Sequence, residues 1–188
     1  MAGTELCEQL DELVTQFENT KVQMYEVVKG LKQDDFNRRP DTGGWSVGEC
    51  IDHLVVTDTD YTAQIERGLG IARDKNLLSN GPFKYSWLGK KFVTNVEPPV
   101  KKRLKNPKKW TPNSGLEMNK VLEDYVSFQN KYIELLRKSA GLDITKVKIP
   151  SPATNLIKLT IFDMLNINAA HQRRHLWQAG NVRKAIGL

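Results

Sequence analysis

Ser46-Val47-Gly48-Glu49-Cys50-Ile51-Asp52-His53-Leu54 carries both a helix start signal and the beginning of an apolar stripe. A serine followed three residues later by glutamate is a capping box: the Ser46 hydroxyl accepts from the Glu49 amide while the Glu49 carboxylate reaches back. Behind it Val47, Cys50, Ile51, Leu54, Tyr61, Ile65 and Leu69 continue at helical spacing. The signature recurs twice. Ser114 with Glu117 precedes a stripe of Met118, Val121, Leu122, Tyr125, Phe128, Tyr132, Leu135 and Leu136 that stops near Gly141. Thr160 with Asp163 precedes Leu165, Ala169, His171, His175 and Leu176, a helix reaching about Gly180. Upstream, residues 4–31 align Leu6, Leu10, Leu13, Phe17, Met24, Val27, Val28 and Leu31 on one stripe of an amphipathic helix. Asp34 to Gly44, with Pro40 and Gly43-Gly44, reads as a loop, and Lys146-Val147-Lys148-Ile149 is too short to build a sheet. The expected fold is all-α: a four-helix bundle forming a single domain over 1–188, with a long basic connection at 82–112 between its second and third helices.

Composition agrees. At 188 residues the chain can bury a sizeable core. With 39% hydrophobic and 27% charged residues it is of the soluble globular class. No run approaches the roughly 18 apolar residues of a membrane span, and the first residues show no signal-peptide pattern. Two cysteines, Cys7 and Cys50, are too few for a disulfide scaffold, so a cytoplasmic location is expected. The net charge of +6 is unevenly spread: residues 84–109 hold nine basic residues against one acid, Glu97, while the remainder has 19 basic and 21 acidic. Pro82, Pro98-Pro99, Pro107 and Pro112 rule out a long regular helix there, so the segment reads as an extended connection. It is either a solvated loop or a contact for an anionic substrate, a membrane surface or nucleic acid, with Lys101, Lys102, Arg103 and Lys105 as the candidate contacts. Trp87, Phe92 and Trp110 would either stack on bases or pin the loop to the core.

The chain has three histidines. His171 and His175 lie four apart, so both rings project from one helix face, and His53 on a facing helix could supply a third ligand. Three neutral imidazoles leave positions open for water or substrate, the arrangement of a catalytic metal. Histidines four apart also occur by chance. The residue after His171 is Gln172, an amide that cannot take a proton, which disfavours a metalloprotease.

Trp45-Ser46-Val47-Gly48-Glu49-Cys50-Ile51-Asp52-His53-Leu54, Leu159-Thr160-Ile161-Phe162-Asp163-Met164-Leu165 and His171-Gln172-Arg173-Arg174-His175-Leu176-Trp177-Gln178 together resemble the DinB-like (DinB/YfiT) superfamily of metal-dependent enzymes. The resemblance runs in order over nearly the whole chain. It implies a four-helix bundle, a divalent metal, most often nickel or zinc, on His53, His171 and His175, and dimers as a common state. It also implies thiol-dependent S-transferase or isomerase activity on small molecules, with bacillithiol, mycothiol or glutathione as cosubstrate. A metal-dependent hydrolase is the alternative, as is a non-enzymatic anion or nucleic-acid binder with a structural metal. The lysine-rich connection departs from the family's commoner pattern.

Helical spacing nominates neighbours of the histidines: Glu49, Thr57, Asn168 and Gln178. Glu49 has the capping box as its competing role. Arg174 and Gln178 match family positions. Cys50, three before His53, is either a fourth ligand or a small core residue.

Overall fold

The protein is described by a computed structural model covering residues 6–100 and 106–188, the side chain of Asn155 aside. Helix α1 (Glu8–Val28) buries Leu10, Leu13, Phe17, Met24 and Val28 of the stripe read from the sequence, and Thr20 beside them. Helix α3 (Val47–Asp74) opens on the expected capping box, with Glu49 N–H donating to Ser46 Oγ at 3.1 Å and Ser46 N–H to Glu49 Oε2 at 2.8 Å. Helix α6 (Ile161–Ala185) opens on the box of Thr160 and Asp163 and continues past Gly180. Helix α5 (Met118–Lys138) lies between them in sequence. α3 packs on α5 and α6, and α1 packs on the same two, closing an all-α four-helix bundle.

The structure corrects four local expectations. Inside the supposed loop, α2 (Gln33–Asn37) forms because Asp35 caps the Lys32 amide and Phe36 finds a fully buried seat. That seat exists because residue 48 is glycine: a Cβ there would come within 2.6 Å of the Phe36 ring. The third box is displaced. Glu117 itself caps α5, accepting from the Asn119 and Lys120 amides, and Ser114 is not the cap. The chain enters the helix late because Asn37 holds both the N–H and the C=O of Leu116, and Gln33 accepts from Met118 N–H.

The basic segment is not wholly extended. Helix α4 (Trp87–Val96) sits before Pro98, capped by Ser86, and packs against α6. Its approach is close: Ser86 N–H donates to Asp163 Oδ1 at 3.0 Å, and a Cβ on Gly89 would lie 2.0 Å from the same oxygen. Finally, Lys148–Ser151 (β1) does pair, because Thr154–Thr160 (β2) returns antiparallel and delivers the chain to the α6 cap, with Ile149 opposite Leu159. Both of those side chains are buried.

The apolar core is divided. One cluster takes Leu10, Leu13, Phe17, Ile65, Leu135 and Leu165, and the other takes Met24, Cys50, Ile51, Tyr125, Leu176 and Ala179. Between them, every bundle helix carries polar residues at one level: Thr20, Thr57-Asp58, Gln129 and His171-Gln172. Thr20 Oγ1 donates to Gln129 Oε1, Gln129 Nε2 to Gln172 Oε1, and Gln172 Nε2 to Asp58, which also accepts from the Tyr132 hydroxyl. Buried polar groups require such partners.

Candidate metal centre

The same level carries the histidines. The second turn of α3 contributes His53 and the middle of α6 contributes His171 and His175. One nitrogen from each ring lies within 4.8 Å of the others, close enough to hold a single metal ion. Ring centroids stand 5.3 Å apart for His53 and His171, 4.5 Å for His53 and His175, and 4.6 Å for His171 and His175. The indole of Trp45, at the entry to α3, packs on His53 at 4.9 Å and His175 at 5.8 Å.

Burial favours the neutral form of all three rings. His53 is held below the usual imidazole range by desolvation, with the Trp110 carbonyl opposing and the Arg174 charge assisting. His171 and His175 lie well below it, first by burial and then through the neighbouring histidines and Arg174; hydrogen bonding to Gln178 opposes the shift at His175. Neutral imidazole is the ligating form. The buried Nδ1 atoms of His171 and His175 have no hydrogen-bond partner. Buried polar nitrogens rarely stay unsatisfied, so these two fit a bound cation.

His53 has a partner that spacing did not nominate. Its Nδ1 lies 2.8 Å from the carbonyl oxygen of Trp110, which also accepts from Asn106 Nδ2 at 2.9 Å. Trp110 stands in a single 3₁₀ turn, Lys108–Trp110, at the end of the basic connection. A main-chain acceptor has no side-chain signature, so only the fold could reveal it. Asp52, beside His53, accepts from both the amide and Nδ2 of Asn113, and Trp45 was readable only as part of the helix entry.

The nominated neighbours divide. Glu49 turns away to its cap, receiving Ser46 N–H and the Arg39 guanidinium; burial pushes its carboxyl up, but these bonds hold it below the usual range. Thr57 donates to the Leu54 carbonyl. Asn168 donates to the Met164 carbonyl and leaves a buried Oδ1 without a hydrogen-bond partner. Arg174 is buried and its charge reaches all three histidines; the Gln178 side chain acts on His175 alone, opposing the fall in its pKa. Cys50 is fully buried in the apolar cluster of Met24 and Ile51, its thiol pushed up by burial, and is outside the histidine group. Gln172 serves the interior network instead of the site.

Lys101, Lys102, Arg103 and Lys105 lie outside the described residues. Their flanks are fastened. On one side Glu97 receives Arg173 Nε and Nη2 at 2.6 and 2.7 Å, two residues beyond His171. On the other, residues 106–113 grip α3 through Asp52, His53 and Asp60. Of the interleaved aromatics, Trp110 is buried and pins this end, Phe92 packs against the core, and Trp87 is exposed. Among the described residues no helix is long and apolar enough to cross a membrane.

No curated protein and no solved structure matches the chain significantly. The family model of the DinB superfamily matches residues 16–179, a span that takes in most of the bundle and all three histidines. With its all-α four-helix bundle and its histidine cluster joining α3 to α6, the chain belongs to the DinB superfamily.

Proposed function

We propose that this protein is a metal-dependent enzyme that activates a low-molecular-weight thiol, an S-transferase or isomerase in type, with His53, His171 and His175 holding a divalent ion, nickel or zinc. The observation that carries the reading is the convergence of three imidazoles within 4.8 Å, two of them with buried nitrogens that lack a hydrogen-bond partner. A divalent ion bound there supplies Lewis acidity that lowers the pKa of a thiol. The chain's own residues do the rest. Trp45 covers one side of the rings. Arg174 adds a fixed positive charge beside them, which favours an anionic sulfur or carboxylate. The basic connection then selects substrates bearing further carboxylates.

In the transfer the thiolate sulfur bonds to an electrophilic carbon as its leaving group departs, and the thiol proton passes to solvent. The test is thiol consumption with an aryl halide as electrophile, run with bacillithiol, mycothiol or glutathione on protein loaded with Zn2+ or Ni2+. Metal- and thiol-dependent turnover that is lost in His171→Ala supports the reading. Ester or amide hydrolysis that proceeds without thiol would replace it with a hydrolase.

A further inference from the structure

The basic connection returns to α3 through a compact set of contacts. Asp60 Oδ2 accepts from the Trp110 indole Nε1 at 2.9 Å and from Lys109 Nζ at 2.6 Å. Asp52 Oδ2 accepts from Asn113 N–H at 2.7 Å and its Nδ2 at 3.1 Å. Between these two grips the Trp110 carbonyl meets His53 Nδ1, and its second lone pair is filled by Asn106. The indole is buried against Tyr61, ring centroids 5.7 Å apart, with Lys109 over its face at 5.0 Å. Asp52, His53 and Asp60 thus hold one short segment along about two turns of α3.

A carbonyl accepts only, so a neutral His53 facing it must carry its proton on Nδ1 and leave Nε2 as the bare nitrogen. Without that acceptor the Nδ1–H tautomer would lose the hydrogen bond that favours it. We propose that Asp60, with Asp52 securing the far end of the segment, is a positioning residue for His53: by fixing Trp110 it sets the Nδ1–H tautomer and turns Nε2 toward His171 and His175. The aspartates touch none of the reacting atoms and act through the main chain of the connection. The tautomer claim stands on the contacts alone; its consequence for metal affinity rests on the reading of the cluster as a metal site.

The test uses the full-length protein without metal, its histidines labelled with nitrogen-15, near neutral pH. Wild type is expected to show His53 protonated on Nδ1 and bare on Nε2. Asp60→Ala, at a half-buried position where alanine favours the helix, is expected to mix the two tautomers, as is Asp52→Ala. Asp60→Asn keeps an oxygen for the indole N–H and is expected to restore the wild-type pattern. Zn2+ affinity by chelator competition should fall about tenfold in Asp60→Ala and recover in Asp60→Asn. A folded Asp60→Ala with the wild-type tautomer, or a wild type protonated on Nε2, overturns the proposal. Tautomer mixing in Asp60→Ala together with no Zn2+ binding in wild type would uphold the positioning role and defeat the metal reading instead.

Discussion

Gln172 donates its Nε2 to both carboxylate oxygens of Asp58, at 3.0 and 3.1 Å, joining α6 to α3 in the middle of the bundle. The link explains why the residue after the first histidine of α6 is an amide. It faces Gln129 and Asp58, away from the imidazole cluster, and completes a polar layer between two apolar clusters. That layer has a pH signature.

Burial pushes Asp58 up to about 8, against the opposing bonds from Tyr132 and Gln172. In the unfolded chain the carboxyl titrates in the ordinary range. Between the two values the native state holds a proton that the unfolded state has released, so stability falls as pH rises through this window. Asp58→Asn should remove the dependence. Its melting temperature relative to wild type is expected to rise steadily from about pH 4 to about pH 8 and then level off. A constant difference across that range would contradict the raised carboxyl.

The histidines act on the acid side. Their folded-state pKa values are lowered, so the unfolded chain takes up protons first and the metal-free protein loses stability as pH drops below about 6.5. His175→Gln should make that acid loss shallower in thermal melts at graded pH. An unchanged slope would mean that the ring is not held neutral by burial.

Gly89 measures how closely α4 is seated. A Cβ at this position meets the Asp163 carboxylate at 2.0 Å, and that carboxylate also caps Ser86 and Thr160. Gly89→Ala is expected to cost about 1–3 kcal/mol by overpacking. Because α4 leads into the Glu97–Arg173 grip, the variant should be cut faster in the connection by limited proteolysis. Wild-type stability and wild-type cleavage would contradict the close docking.

The basic run tests substrate choice. Replacing Lys101, Lys102, Arg103 and Lys105 by serine should raise KM for carboxylate-bearing thiols at low salt while leaving kcat unchanged. The difference should shrink as salt screens the charges. Equal KM values at low ionic strength would remove these residues from substrate recognition.

Much of the bundle was legible because local chemistry and packing agree in it. Ser46 with Glu49 and Thr160 with Asp163 are caps whose helices bury the stripes behind them. Ser114 failed as a cap because Gln33 and Asn37, over 70 residues upstream, hold the intervening backbone, a long-range effect that no window can see. The β1–β2 hairpin and α4 escaped for a similar reason, since each depends on a partner remote in sequence or on a helix short enough to fit between prolines. At the cluster, spacing could bring forward His171 and His175 and nominate His53, but the groups orienting them are a main-chain carbonyl and a tryptophan face.

On the proposed reading His53, His171 and His175 hold one divalent ion. Elemental analysis of the purified protein after dialysis against Zn2+ or Ni2+ and removal of excess ion counts it, with a His171→Ala/His175→Ala variant alongside. Wild type is expected to retain about one ion per chain and the variant none. Equal metal content in the two proteins, or no retained ion in wild type, would contradict it.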